Sequence, residues 1–96
     1  MLKDFFEPIP KSFQKNIPTF SRYQIGKSID YYSENFPEIE QIKIAIIGLD
    51  DSFEKVRPFF YALNQHFKNL KIADLGNIKS PTPENISLIL KELLVL

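Results

Sequence analysis

The run Gln41-Ile42-Lys43-Ile44-Ala45-Ile46-Ile47-Gly48 constrains the fold more than any other part of the chain. Isoleucine and alanine fill nearly every position, branching at Cβ favours extended backbone, and Gly48 ends the run. An extended segment apolar on both faces belongs in a parallel sheet covered on both sides, so a buried strand is predicted over residues 42–48. Asp50, Asp51 and Ser52 follow with turn and helix-capping chemistry. Phe53, Val56, Phe60, Leu63 and Phe67 then recur in steps of three and four, the spacing of one helix face. Pro58 has no N–H to give, so the regular helix is expected to begin near residues 55–57 and to end close to Asn64 and His66. Leu70-Lys71-Ile72-Ala73-Asp74-Leu75-Gly76 reads as a second, shorter strand, in which Gly76 takes a conformation closed to other residues. Together these make a β–α–β unit with a parallel strand pair.

Thr82, Pro83 and Glu84 supply a helix start: a capping hydroxyl, a ring with pre-set φ, and a carboxylate at the positive end. The helix from Pro83 is expected to run to the end of the chain. Between Ile86 and Leu96 only Ser87, Lys91 and Glu92 interrupt an otherwise apolar sequence, so this helix needs cover on most of its sides. A two-stranded parallel sheet would also leave both edges open. Self-association, or a carboxyl-terminal portion lying over residues 86–96, is therefore expected.

Residues 1–40 form a different region. Pro8, Pro10, Pro18 and Pro37 exclude a long helix or a central strand. Phe5, Phe6, Phe13, Ile17, Phe20, Tyr23, Tyr31, Tyr32 and Phe36 make the segment too aromatic for a disordered tail. It is expected to be an irregular wrap packed over residues 41–96, an incomplete β-α-β-α domain. Residues 27–35 could be a short helix or a strand.

Charge narrows the function classes. Twelve basic and twelve acidic residues cancel, and they cancel within each half as well. No cluster of Lys or Arg marks a nucleic-acid surface, so no nucleic-acid partner is expected. The chain has no cysteine, which excludes disulfides and thiolate zinc sites. The opening residues carry Asp4, Glu7 and Pro8 where a signal peptide needs an unbroken apolar run, and residues 86–96 are too few to span a bilayer. A cytoplasmic chain without membrane association is expected.

Candidate chemistry is sparse. His66 is the single histidine, and no carboxylate stands at helical spacing to complete a metal site with it; a solvated or helix-capping role is expected. Asp50 and Asp51 lie at the carboxyl end of the first strand, where open α/β sheets place ligands. They are similar in that respect to the Mg²⁺-binding acids of response-regulator receiver domains, although Asp74 falls at the wrong strand for such a site; loop solvation and capping is the simpler role. Arg57 could bind a carboxylate or lie solvated. No phosphate-cradling glycine motif accompanies Gly48 or Gly76. No catalytic, cofactor-binding or metal-binding residue is assigned.

The order of three blocks resembles the ureohydrolase family of arginases, agmatinases and formimidoylglutamases. Residues 42–48 resemble its first strand, Val56-Arg57 leading to Tyr61-Ala62-Leu63 its following helix, and Leu70-Lys71-Ile72-Ala73-Asp74-Leu75-Gly76-Asn77-Ile78 its second strand with an Asp-x-Gly exit. Leu2-Lys3-Asp4-Phe5-Phe6-Glu7-Pro8 and Glu34-Asn35-Phe36-Pro37 look most like the formimidoylglutamase-like members of Bacteroidetes. The resemblance implies the start of a three-layer parallel-sheet arginase-like fold in a hydrolase of linear amidines. Relatives carry a longer loop between the counterparts of Gly48 and Val56. Their Gly-Gly-Asp-His and Asp-Ala-His motifs, which hold two Mn²⁺, have no counterpart here. The expectation is an amino-terminal portion, inactive alone and without a cofactor of its own, with Mn²⁺ expected in a full-length relative. The alternative is a non-catalytic interaction module that docks through its sheet edge and apolar terminal helix, and a receiver-like domain comes third.

Overall fold

The computed structural model describes residues 2–66 and 70–95, the side chain of Val95 excepted. Its strands are β1 (Phe6–Glu7), β2 (Asp30–Tyr31), β3 (Ile44–Gly48) and β4 (Ile72–Ile78). Its helices are α1 (Lys11–Gln14), α2 (Ile25–Ser28), α3 (Phe53–Tyr61) and α4 (Pro83–Val95), with 3-10 turns at Leu2–Phe5 and Ile17–Thr19. The result is a mixed four-stranded sheet between helical layers.

β4 is the hub of that sheet. β3 runs parallel to it, with Ile44 opposite Ile72 and Gly48 opposite Asn77. β2 is also parallel, with Asp30 opposite Ala73, whereas β1 is antiparallel, with Phe6 opposite Ile78. Because β3 fills one edge of β4, the two short strands lie end to end along the other. Alternation along β4 divides the core. Ile72 and the Asp74 side chain face α3, with Ile46, Tyr61, Phe13, Ile17, Ile25 and Ile29. Ala73 and Leu75 face α4, with Ile89, Phe6 and Leu2, and Ile78 joins them because a register shift against β3 between Asp74 and Asn77 breaks the alternation.

Several expectations change here. The amino-terminal wrap is not wholly irregular: it contributes β1 and β2 to the sheet, so the sheet is mixed and the side of β4 away from β3 is paired. Lys79 N–H to the Phe5 carbonyl (2.9 Å) and Tyr32 N–H to the Asp74 carbonyl (3.0 Å) fasten those strands. Residues 27–35 resolve into the end of α2, a break at Ile29, and β2. The first long strand begins at Ile44 rather than Ile42, and it is an edge strand whose Ile44 and Ala45 are exposed. The buried central strand is β4, which is shifted toward the carboxyl end, to Ile72–Ile78.

α3 starts earlier than Pro58 suggests and ends sooner. Its first turn is tight, with Phe53, Glu54 and Lys55 donating to the carbonyls of Asp50, Asp51 and Ser52. Pro58 therefore sits one turn into the helix, costing it a single internal bond. The helix stops at Tyr61, so Asn64 and His66 lie beyond it, and Phe67 falls outside the described residues. At α4 the expected start is observed: Asn85 N–H donates to Thr82 Oγ1 (3.1 Å), and Pro83 opens the helix. Leu96 lies outside the described residues.

Candidate functional site

Two features stand out, a buried polar cluster and an open sheet edge. The cluster follows from helix and strand periodicity: Arg57 and Tyr61 are four apart on α3, so both point at β4, where Asp74 turns to the same face. Arg57 and Asp74 are 0% exposed. Arg57 Nε donates to Asp74 Oδ2 (2.7 Å) and Arg57 Nη2 to Asp74 Oδ1 (3.2 Å), a two-pronged pair. Tyr61 Oη donates to Oδ2 (2.9 Å) and the Gly76 N–H to Oδ1 (3.0 Å). Arg57 Nη1 meets Glu54, Arg57 Nη2 donates to Asn77 Oδ1 (3.1 Å), and Asn77 Nδ2 donates to Glu54 Oε1 (2.8 Å). The Phe53 ring lies 4.6 Å from the guanidinium carbon.

The electrostatics are those of a satisfied pair. Burial alone would lower the Arg57 pKa, but the hydrogen bonds and charge of Asp74, with the charge of Glu54, outweigh it and hold the guanidinium protonated. Burial, then the charge of Asp74 and the hydrogen bond to it, push the Tyr61 hydroxyl well above its ordinary value. Among the described residues no buried side-chain nitrogen or oxygen lacks a partner. A carboxylate enclosed by Arg57, Tyr61 and the Gly76 amide has no lone pair aimed at solvent. The cluster fixes α3 onto β4 and shapes the carboxyl ends of β3 and β4.

Gly48 and Gly76 serve that packing. Gly76 adopts φ +88°, and a Cβ there would collide with the Glu7 carbonyl of β1. A Cβ on Gly48 would collide with Asn77 Oδ1.

The structure does not gather the other candidates. Asp50 and Asp51 are exposed; Asp50 Oδ1 accepts the Ser52 N–H (2.8 Å) and hydroxyl, so it closes a loop turn, and the hydrogen bonds hold its carboxyl below the usual range. Ser52 itself makes no side-chain cap. His66 is exposed and lines an open basin of about 1170 Å³ with Arg22, Asp30, Glu38 and Lys71. That basin lies at the amino ends of β3 and β4, opposite the end where open α/β sheets bind ligands. Among the described residues no three His, Asp or Glu side chains converge to hold a metal ion. The donor set for the Mn²⁺ pair that the resemblance implies is therefore not found among them. No helix among the described residues is long and apolar enough to cross a membrane.

The edge of β3 is the second feature. Among the described residues β3 pairs with β4 alone, and no strand lies on its other side. Phe53 of α3 lies over Gly48 and Phe60 packs on the core beside Ile46, so this flank of the helix overhangs β3. Val56 shares the flank with Phe60 by spacing, Phe59 adjoins them, and Leu63 lies just past the helix end; Val56, Phe59 and Leu63 are exposed, Phe59 at 76%. On the opposite face Leu93 lies near Ala45 and Lys43, and its neighbours Leu90 and Leu94 are exposed, Leu94 at 85%. Ile44 in the strand is 42% exposed. An unpaired backbone edge is thus bracketed by apolar side chains on both faces. The sequence expectation of an uncovered terminal helix holds at Leu88, Leu90 and Leu94, while Ile89 is fully buried.

Tyr61, Asp74, Asn77 and Glu54 were not legible as one cluster. The available signal was a lone acid in the apolar run Ile72-Ala73-Asp74-Leu75, together with an Arg and a Tyr one helical turn apart. Comparison with protein-family models, with curated proteins and with solved structures finds no match to this chain.

Proposed function

We propose that the chain acts as a sheet-docking unit: a β-α-β-α body, braced by its amino-terminal segment, whose β3 edge accepts a further strand. The observation that carries this is the coincidence of the unpaired β3 edge with exposed Val56, Phe59 and Leu63 on one face and Leu90 and Leu94 on the other. Edge pairing supplies main-chain hydrogen bonds, and apolar residues above and below bury the incoming side chains. Soluble proteins usually blunt such edges with charge or proline, and β3 carries neither between Ile44 and Gly48. The test is hydrogen exchange on the isolated chain. Amides of β3 that face away from β4 should exchange far faster than those of β4 when the chain is dilute, and slow when a partner binds. Equal protection of β3 and β4 in a dilute monomer would remove the reading.

A second reading rests on the ureohydrolase resemblance, and the parallel β3/β4 pair with α3 on one face and α4 on the other supports it. In that reading the β3 edge takes a following strand of the same sheet. The whole is then a Mn²⁺-dependent hydrolase of guanidino or formimino compounds, of which this chain is an inactive portion. Translating the nucleotide sequence beyond the Leu96 codon tests it: Gly-Gly-Asp-His-like and Asp-Ala-His-like motifs in any frame support it, and their absence in all frames overturns it. About one equivalent of tightly held Mn²⁺ on the purified chain would overturn the expected inactivity.

A further inference from the structure

β4 carries an irregularity that decides where its side chains point. Ile46 is opposite Asp74 and Gly48 is opposite Asn77, so two steps along β3 match three along β4 and one residue of β4 bulges from the ladder. Gly76 takes the positive φ of 88° that suits such a bulge, and its N–H donates to Asp74 Oδ1 (3.0 Å). In a regular strand residues 74 and 77 would face opposite ways. The bulge brings Asn77 to the face of Asp74, where its Oδ1 accepts from Arg57 Nη2 (3.1 Å) and its Nδ2 donates to Glu54 Oε1 (2.8 Å). The same side chain lies against Gly48, where a Cβ would collide with its Oδ1. Asn77 thus ties the end of β3 to the first turns of α3.

What holds the bulge lies on the other side of β4. Beyond the irregularity β3 supplies one pairing residue, Gly48, whereas β1 supplies two: Glu7 opposite Asn77 and Phe6 opposite Ile78. The Lys79 N–H to the Phe5 carbonyl (2.9 Å) extends that ladder. The Glu7 carbonyl also occupies the space that a side chain at position 76 would need. β1 therefore fixes both the seat of Gly76 and the register of Asn77. Its own buried side chain, Phe6, packs in the opposite, α4-facing cluster. Drawing the extra residue back into line would turn Asn77 toward α4 and Ile78 toward Arg57 and Glu54, which gives two discrete arrangements of β4.

We propose that β1 is a clamp on this bulge. β1, the bulge and the Asn77 side chain switch as one unit, so displacing β1 from β4 releases the first turns of α3 and the Gly48 end of β3. β1 is two residues long, short enough to leave β4 as a unit. β2 has no such hold, because it pairs with Ala73 and Asp74, ahead of the bulge. The amino-terminal strand thereby becomes a control on the far edge of the sheet. This goes beyond the docking reading and holds whatever the β3 edge accepts.

Double-mutant cycles on the full 96-residue chain, followed by denaturant melts and by amide exchange, provide the test. Among the described residues Phe6 and Asn77 point to opposite faces and share no side-chain partner, so independent effects on the unfolding constant would multiply. The expected result is that they do not. Asn77→Ala should raise the unfolding constant of the unaltered chain by a factor about five times larger than it does in a Phe6→Ala background. Ile89→Val, in the same α4-facing cluster but not on β1, should leave the effect of Asn77→Ala unchanged within about twofold. Where Phe6→Ala does not fold, Phe6→Leu enters the same cycle. In the Phe6 variant, exchange should rise at Gly48 and the first turns of α3 together with β1, and the Asn77 side-chain amide should lose its protection. An equal effect of Asn77→Ala in both backgrounds overturns the proposal, as does an Ile89→Val background that acts as strongly as the Phe6 one. Exchange raised in β1 and α4 alone overturns it too.

Discussion

Arg57 and Asp74 are the residues on which the α3 side of the core depends. Removing one partner strands the other's charge at 0% exposure, so Arg57→Met should destabilise the fold by about 3–5 kcal/mol, measured by denaturant melts. Tyr61→Phe deletes one charge-assisted hydrogen bond and should cost about 1.5–3 kcal/mol. The same tyrosine sets an alkaline limit. The folded state holds its proton more tightly than the unfolded chain does, because burial and Asp74 disfavour the phenolate. Its contribution is therefore complete below about pH 10 and declines above it, by about 1.4 kcal/mol per pH unit for one proton. Tyr61→Phe should flatten that decline; an unchanged slope would show that other groups set it. Gly76→Ala meets both a positive φ and the Glu7 carbonyl, and should cost more than about 2 kcal/mol while raising exchange at the Phe6–Glu7 pairing first.

At the scale of elements, legibility tracked length. α4 was readable to the residue at its start because Thr82-Pro83-Glu84 is local chemistry, and Asn85 N–H to Thr82 Oγ1 is its outcome. β3 and β4 were readable as strands from their apolar runs, but not which of them is central. An isoleucine-rich run signals two apolar faces, and at β3 the first residue of each face, Ile44 and Ala45, meets solvent rather than core. β1 and β2 are two residues each, too short for any periodicity, and tertiary pairing with β4 creates them. Pro58 misled in the other direction, since a tight first turn left it only one bond to break. The exposed polar candidates Asp50, Asp51 and His66 were expected in loop and capping roles, and the loop turn at Asp50 is what forms. The α3 flank gives a further measurable outcome: Phe59→Ser, at 76% exposure, should leave the monomer's stability within about 0.5 kcal/mol while weakening any assembly through that flank.

For the whole molecule, the two clusters on either face of β4 and the braced amino-terminal segment explain how a small chain holds a mixed sheet. Phe6, Ile9, Phe13 and Ile17, drawn from the first region, are buried on both faces of the sheet. Each contributes about 1.5–3 kcal/mol of burial, which makes residues 2–40 part of the core rather than an accessory. Deleting residues 2–10 should therefore abolish the cooperative thermal transition, and retention of a sharp transition would refute that dependence.

The hub position of β4 also dictates an order of events. Among the described residues every other strand pairs with β4 and none pairs with another, and Phe6 must wait for Ile78. As the chain leaves the ribosome, nothing it has already exposed can form sheet until residues 72–78 appear. The aromatic first region meanwhile has no partner for its strands, and for that interval it is the part most in need of a chaperone.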